Sequence, residues 1–332
     1  MKSVKFVRSS KKPGCRMPPP ARPPSEGSLP DGPPAKGPAP ARSPTPPVDR
    51  LSALLERFRV HATLFHSGAL CGTQTFEARP GRGFLHVLRR GEMEVRHPGD
   101  QSVQPSLRLT EPTLLFYPAP LHHVFVNPPR EGSDFTCATL DFDGGARNPV
   151  VGALPPLLCV PLHQVDGLRP ALDLLFSEAD RMRCGSRLLA DRLFEVVLIQ
   201  LLRWIIDHPQ QAGIARGLIT GLADPRLARA LVALHRAPGD AWPLAKMAAT
   251  AGMSRSAFAQ AFKEATGTTP AAYLTDWRLS LAATMVRAGQ PVKRVAAELG
   301  FAGASSLSKA SRQRLGTSPR QWLADRDGAG RT

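Results

Sequence analysis

The chain has 332 residues, which is enough for two domains and a tail. Its formal net charge of +16 at pH 7 is distributed unevenly. Residues 1–50 carry 10 Lys and Arg against 3 Asp and Glu, residues 51–219 carry 17 of each, and residues 220–332 carry 16 against 7. A neutral middle between two basic ends indicates that one module meets phosphate groups and another does not.

The same totals argue against several classes of protein. No apolar run reaches the ~20 residues that a membrane helix needs, and the charged N-terminus lacks the apolar segment of a signal peptide. The 5 cysteines are scattered without a C-x-x-C pair, which argues against a zinc cluster or a disulfide framework. We therefore expect a cytoplasmic protein without membrane contact.

Residues 1–47 contain 14 of the 34 prolines and almost no large apolar side chains, so they cannot bury enough surface to fold. We expect a disordered basic tail here and a frayed end over residues 325–332. Two hypotheses remain open for the tail. Either it adds non-specific affinity for DNA, or it is not translated natively and Val48 reflects an alternative start codon.

The region 48–165 consists of short alternating segments separated by Gly, Pro and Asp, a pattern typical of β-strands. Several short strands with regular turns predict a small β-barrel or jelly roll. The segments predicted to be strands are 83–88, 92–96, 113–117, 123–126 and 135–142.

Residues 166–208 are predicted to be helical. The part from Leu188 to Ile206 is apolar around most of its circumference, so it must be covered. Two interpretations remain: it packs beneath the β-domain, or it forms a dimer interface, which we favour. The Gly-rich segment 209–223 is predicted to be the linker to the last domain.

Residues 244–322 carry the same helical pattern twice. In the first copy an amphipathic helix, with Leu244 and Met247 on its inner face, ends at Gly252, which can adopt the left-handed conformation. Ser254 can then cap a second helix by accepting a backbone N–H. The arrangement predicts a helix-turn-helix unit, whose second helix enters the major groove of DNA.

Phe258 and Phe262 lie four residues apart and are predicted to point back onto the first helix, which leaves the opposite face exposed. In the second copy Val295 and Leu299 form the inner face and Gly300 makes the break. The side chains predicted to face DNA from the first unit are Arg255, Ser256, Ala259, Gln260 and Lys263.

Residues 224–322 resemble the DNA-binding domain of the AraC/XylS family of bacterial transcription regulators. The motifs that carry the resemblance are Ala-Gly-Met-Ser-Arg-Ser-Ala-Phe (251–258), Phe-Lys (262–263), Gly-Thr-Thr-Pro (267–270), Trp-Arg-Leu (277–279), Ala-Ala-Glu-Leu-Gly-Phe (296–301) and Gly-Thr-Ser-Pro (316–319). In that family a long helix joins two helix-turn-helix units, and Pro270 to Ala288 matches it. Its 19 residues span roughly 28 Å, close to the ~34 Å between successive major grooves. The resemblance implies an all-α domain over 224–324 that reads two grooves.

The same resemblance assigns DNA-facing positions in the second unit, where small side chains imply that DNA shape supplies part of the selectivity. These positions are Ala304, Ser305, Ser308, Lys309 and Arg312. The family has a second buried Phe where this chain has Ser311, and such a loss costs ~3–5 kcal/mol when nothing compensates. The second unit is therefore expected to be looser, or repacked by Leu315 and Trp322.

The region 48–165 resembles the cupin-type effector domain of one AraC subgroup, through residues 51–58, 83–91, 118–123 and 137–142 and Leu-Pro at 154–155. Metal-binding cupins supply an H-x-H pair, a Glu and a later His. Here Leu88 stands where a second His is expected after His86, and His123 and Asn127 match the later part. We expect no metal and no cofactor, and His86, His123 and Asn127 are candidates for binding an organic ligand.

The predicted fold class is multidomain α+β: a cupin-like β-barrel or jelly roll, then helices, then an all-α double helix-turn-helix domain. The leading hypothesis is a sequence-specific transcription regulator, not an enzyme, controlled by a small molecule in the cupin domain. Expected partners are double-stranded DNA, a small-molecule effector, a second copy of the chain and RNA polymerase, in the nucleoid of a bacterial cytoplasm. Two alternatives remain: a DNA-binding dimer with an unliganded cupin, and a metal-dependent cupin enzyme fused to a DNA-binding domain.

Overall fold

A computed structural model of the chain describes residues 48–127, 132–181 and 183–322. The predictions for residues 1–47 and 325–332 lie outside this part of the chain. The first half of the described chain is a β-domain. Its strands are Val60–Leu70 (β1), Gly72–Phe76 (β2), Arg82–Arg90 (β3), Met93–Arg96 (β4), Ser106–Leu109 (β5), Thr113–Tyr117 (β6), His123–Asn127 (β7), Ser133–Phe142 (β8) and Leu158–Pro161 (β9).

The strands form two antiparallel sheets. One has the order β1-β8-β3-β6-β9 and the other the order β2-β7-β4-β5. This is the strand order of a jelly roll, in which the chain passes repeatedly from one sheet to the other. The jelly-roll alternative is therefore confirmed and the closed-barrel alternative is wrong, because one sheet ends at β1 and β9 and the other ends at β2 and β5.

All five predicted strands are present, as β3, β4, β6, β7 and β8. The sequence analysis missed β1, β2, β5 and β9. In β1 a register shift between Leu64 and His66 interrupts the alternation of apolar and polar side chains. In β2 all side chains except Phe76 are at least partly exposed. Irregular or mostly exposed strands lack the period of two on which the prediction rests.

Both faces of the five-stranded sheet are covered, as β3 illustrates. Phe84 and Leu88 lie in the core between the two sheets, whereas Leu85 and Val87 lie in the larger core that includes the helices. Successive side chains of a strand point to opposite faces. His86 therefore points into the jelly roll with Phe84 and Leu88.

The second half of the described chain is almost entirely helical. The helices of the chain are Ser52–Leu55 (α1), Leu168–Asp180 (α2), Ser186–Asp207 (α3), Leu218–Ala223 (α4), Pro225–Arg236 (α5), Leu244–Ala251 (α6), Arg255–Thr266 (α7), Pro270–Arg287 (α8), Val292–Glu298 (α9) and Ala304–Leu315 (α10). Within the described ranges, none of them combines the length and the apolar character needed to cross a membrane.

Helix α3 covers the free edge of the five-stranded sheet. An edge strand presents unpaired N–H groups. Here Asp191 accepts a hydrogen bond from the N–H of Leu64 (2.7 Å), and Glu195 accepts one from the N–H of Ala62 (3.4 Å). The inner face of α3 thus packs on the β-domain, which is one of the two interpretations given for this region.

Part of the segment predicted as a linker, 209–223, is a buried helix. In α4 the side chains of Leu218, Ile219 and Leu222 are buried, and their spacing places them on one helix face. The sequence analysis overlooked this short pattern because glycines surround it. The exposed linker is therefore shorter than predicted.

Helices α5 to α10 form the domain that the sequence predicts over residues 224–324. Asp224 caps α5 by accepting from the N–H of Arg226 (2.8 Å), and Pro225 occupies the first turn, as expected. The connector α8 has 18 residues, which corresponds to a length of ~27 Å. It carries α6 and α7 on one side along the chain and α9 and α10 on the other.

Candidate functional site

The first helix-turn-helix unit consists of α6 and α7. Gly252 ends α6 in the left-handed conformation, with φ +69°, which a glycine adopts without strain. Ser254 then begins the next helix, because its hydroxyl accepts from the N–H of Ala257 (3.3 Å). The local sequence alone explains this turn.

Two fully buried rings anchor α7. Phe258 and Phe262 are 0% exposed, with ring centroids 5.4 Å apart, and Phe262 contacts Tyr273 of α8 edge-on. The opposite face is open, as predicted: Ala259 is partly exposed and the other predicted side chains are exposed. The exposed ones are Arg255, Ser256, Gln260 and Lys263.

Gln260 is held by a neighbour one turn further along α7. Its Nε2 donates to Glu264 Oε1 at 3.0 Å. A side-chain amide has two N–H donors and a carbonyl acceptor. One N–H and the carbonyl therefore remain available on this exposed face, which is the donor and acceptor pair that adenine requires in the major groove.

The second unit, α9 and α10, turns at a close backbone approach. Gly300 has φ +70°, and a Cβ there would lie 2.3 Å from the carbonyl oxygen of Gly239. Only glycine fits between these two segments. Helix α10 begins at Gly303 without a side-chain cap, unlike α7.

The predicted DNA-facing positions of α10 line one groove of about 840 Å³. These positions are Ala304, Ser305, Ser308, Lys309 and Arg312. The groove also includes Gln313, Ser318 and Arg320, which the sequence analysis did not select. Arg320 is exposed beside a Pro that interrupts the chain after α10. A cation after this Ser-Pro stop was the available signal, and it places a third basic side chain at the groove.

Arg278 of α8 joins the two units to the connector. Its Nε donates to the carbonyl of Pro238 (2.7 Å), and one Nη donates to that of Asp240 (2.8 Å), in the loop before α6. The other Nη lies 3.3 Å from the carbonyl oxygen of Gly300, in the turn of the second unit. Burial lowers the pKa of Arg278 from its ordinary value. The guanidinium thus sets the relative position of the two units.

Ser311 is fully buried, and the structure shows how its position is compensated. Its hydroxyl donates to the carbonyl of Thr317, and the Thr317 hydroxyl accepts from the indole N–H of Trp322 (3.0 Å). Trp322 is fully buried, so its expected role in repacking is confirmed, whereas Leu315 is 37% exposed and the same expectation for it is wrong. Leu315 follows Arg314, whose guanidinium pairs with Asp276 of α8 (2.7 Å), at the outer end of α10.

In the β-domain the structure brings together two of the three candidate ligand-binding residues. His86 Nε2 and His123 Nε2 are 3.0 Å apart, and both side chains are buried. Asn127 lies four residues beyond His123 on β7, ~13 Å away at ~3.3 Å per residue, and its amide donates to the carbonyl of Gly72 (3.0 Å). Asn127 therefore does not join the histidine pair.

The protonation of this pair follows from its neighbours. A carbonyl can only accept, so His123 Nδ1 donates to Leu121 (2.9 Å), and the Nε2 of a neutral His123 accepts from His86. His86 Nδ1 then accepts from the thiol of Cys137 (2.7 Å). Burial holds the pKa of His86 well below its usual range and lowers that of His123 to about 3. Both imidazoles are therefore neutral and satisfied by the protein.

Aromatic rings enclose the histidine pair. His123 stacks on Tyr117 and Phe76, with centroid distances of 4.1 and 4.8 Å, and the rings of Phe84 and Phe125 lie 5.6 and 4.8 Å from His86. Any ligand that reached these histidines would have to displace rings. Among the described residues, no group of three or more His, Cys, Asp and Glu is arranged to hold a metal ion.

Two family profiles match the chain. One is described as a cupin and covers residues 49–207, and the other is described as a helix-turn-helix domain and covers residues 247–325. The first range includes the jelly roll with α2 and α3, and the second includes both helix-turn-helix units. Fold and matches together define a DNA-binding protein with an N-terminal cupin domain.

Named relatives agree with this class. A protein of Streptomyces antibioticus described as an AraC-like transcription regulator is 35% identical over 191 residues, 57% of this chain and 61% of that protein. The RCS-specific HTH-type transcriptional activator RclR of Escherichia coli K12 is 28% identical over 242 residues, 71% of this chain and 82% of that protein. Among solved structures, apo ToxT from Vibrio cholerae strain SCE256 is 12% identical, with 81% of this chain and 97% of that chain covered and a TM-score of 0.35.

The chain belongs to the AraC family, in the subgroup with a cupin domain before the double helix-turn-helix domain. Its match spans 61% of the Streptomyces antibioticus relative and 59% of a second relative from Streptomyces lividans, less than two thirds of each.

Proposed function

We propose that this chain is a sequence-specific transcription regulator that reads two successive major grooves with α7 and α10. The observation that carries the proposal is the pair of helix-turn-helix units held on one connector by Arg278, each with an open polar face. Residues 220–332 carry 16 Lys and Arg against 7 acidic residues, which suits a polyanion.

The two recognition helices are proposed to contribute differently. In α7, Gln260 pairs with adenine, Arg255 contacts a guanine edge or a phosphate, and Lys263 contacts phosphate. In α10 the serines and Ala304 offer little for base readout, while Lys309 and its basic neighbours hold the backbone. Selectivity at the second groove then comes largely from DNA shape.

We propose further that a small molecule controls DNA binding through the contact between the two domains. Phe58, next to α1, meets Trp277 of α8 edge-on at 5.2 Å, and Arg57 donates to the carbonyl of Arg236 at the end of α5 (2.8 Å). A ligand shifts the equilibrium only if it binds one arrangement of the domains better than another. A ligand that changes this contact meets that condition.

A homodimer is the third part of the proposal. Large apolar side chains are exposed on the outer side of α2 and α3: Leu174, Leu188, Leu189 and Val196, of which Leu188 is 62% exposed. A strip of this kind indicates a surface that another protein covers. Leu188→Glu should convert the dimer to a monomer in sedimentation, whereas Leu315→Glu, at an exposed site on α10, should not. A wild-type monomer at micromolar concentration would contradict this part. Contact with RNA polymerase at a bound promoter belongs to the same proposal.

DNA recognition can be tested with the purified full chain. Genome-wide footprinting should yield discrete sites, and titration at moderate salt should show a clear preference for such a site over random duplex. Lys263→Ala should weaken binding to all duplexes and lower the salt slope by about 1. Arg108→Ala removes an exposed cation of β5 and should change neither quantity. A chain that binds all duplexes equally is not a sequence-specific regulator.

A further inference from the structure

A cleft of about 590 Å³ lies where the β-domain, the segment before α4 and the connector α8 meet. The three parts contribute Arg147 and Leu154, Ile214 and Arg216, and Tyr273 and Trp277, respectively. Small-molecule sites in proteins have volumes of this order and often lie between domains. The cleft is separate from the ring-filled interior that holds His86 and His123.

Two side chains of the cleft have a buried donor that the described part of the chain leaves without an acceptor. They are Trp277, through Nε1, and Arg147, through Nη1. Trp277 as a whole is 3% exposed, and its ring lies between His235 and Phe58, so the indole cannot turn to find a partner elsewhere. Buried donors are nearly always satisfied in folded proteins. This site lacks an acceptor.

The charges at the cleft favour an anion. Arg147 and Arg216 are cationic, and the carboxylate of Asp276, which also lines the cleft, is already paired with Arg314. The rest of the lining is mostly apolar or aromatic, including Leu154, Ile214 and Trp277. The complementary ligand has an apolar body and one anionic group with oxygen acceptors.

We propose that this cleft binds a small apolar carboxylic acid, with its carboxylate accepting from Arg147 and Trp277. The inference rests on the proposed regulatory function, since it assigns the effector site and the effector class. It places the effector between the domains instead of at His86, His123 and Asn127.

Arg147 also connects the cleft to the second helix-turn-helix unit. Its other Nη lies 3.5 Å from the hydroxyl of Thr317, and its guanidinium lies 5.9 Å from the ring centre of Trp322. These two residues complete the core behind Ser311. A carboxylate that draws Arg147 toward the cleft therefore loosens the contact between the β-domain and α10. Binding of the acid should change the affinity for DNA through the second unit.

The test uses the full chain and a panel of simple apolar acids, with 3-phenylpropionate compared against its neutral amide. Calorimetry and tryptophan fluorescence should show saturable binding of at least one acid, and its amide should bind about tenfold more weakly or worse. Arg147→Ala should abolish the preference for the acid. Gly152→Leu should abolish binding with Arg147 intact, because a side chain at Gly152 meets only open space in the lining. Arg108→Ala serves as the control and should bind like the wild type.

The proposal is overturned if no acid of the panel binds saturably, or if both Arg147→Ala and Gly152→Leu bind the acid as the wild type does. Thermal unfolding of each variant, measured in parallel, shows whether a lost signal reflects lost folding. Titration with footprinted DNA separates this proposal from the broader one. Specific DNA binding without acid binding rejects only the effector site, and acid binding without DNA preference rejects only the regulator.

Discussion

The two helix-turn-helix units share a backbone design but hold their recognition helices by different means. In α7, Phe258 and Phe262 form an apolar anchor, whereas Leu307 and Ser311 occupy the equivalent positions in α10. The second unit replaces the missing ring with a hydrogen bond from Ser311 and with Trp322, which lies beyond the helix. The comparison shows that one unit is stabilised within its own helix and the other by the chain that follows it.

The largest expected effect is on the anchor of the first unit. Phe258→Ala removes a fully buried ring and should lower the free energy of unfolding by ~3–5 kcal/mol, because the cavity cannot close completely. Urea denaturation followed by circular dichroism measures this change. Leu315→Ala in the second unit is the matched control and should cost about 1 kcal/mol or less. Equal costs for the two variants would contradict the difference between the units.

The next effect concerns base readout. Gln260→Ala should weaken binding to a footprinted site by ~1–3 kcal/mol and relax the preference at one base pair, because the amide loses its adenine partner. Ser308→Ala in α10 should change binding by less than ~0.5 kcal/mol. Titration of a set of single-base variants of the site measures both quantities. If Ser308→Ala has the larger effect, the second unit carries the readout instead.

Acid should affect the first unit more than the second. His235 stacks on Trp277 at 4.0 Å, and burial lowers the pKa of His235 to about 3, whereas residues 288–322 contain no histidine. Between that value and ~6.5 the unfolded chain binds a proton that the folded chain does not. Stability is therefore complete above pH ~6.5 and falls as the pH decreases, by up to ~1.4 kcal/mol per pH unit.

Thermal unfolding between pH 7.5 and 5 measures this dependence. His235→Gln should reduce the slope by the share of one histidine, while His86 and His123, also buried and neutral, keep theirs. An unchanged slope in His235→Gln would show that this imidazole is already charged or exposed in the folded chain.

The smallest expected effect is a gain of stability in the second unit. Gly303 precedes α10 in an extended conformation, and a Cβ there meets open space. Gly303→Ser should supply the hydroxyl cap that α7 has in Ser254 and restrict the unfolded chain, for a gain of ~0.5–1 kcal/mol. Hydrogen exchange of α10 should slow, while that of α7 should not. A loss of stability would mean that the position needs glycine.

Much of the DNA-binding domain was predictable because its signals are local. The glycine breaks, the Ser254 cap, the inward Phe pair and the connector from Pro270 all follow from spacings within one or two helical turns. The strands with clear alternation were predictable for the same reason. The prediction failed where the pattern was interrupted, in bulged β1, in the exposed strands and in short α4.

The amino-acid sequence by itself determined that this is a cupin domain joined to two helix-turn-helix units, and which faces of those units are open. Only the tertiary structure decided that His86 meets His123, that Trp322 supports Ser311 through Thr317, and that Arg147 lies at a cleft with Trp277. The physical reason is the distance along the chain. Helix and strand periods report neighbours a few residues apart, whereas these contacts depend on how complete elements pack together.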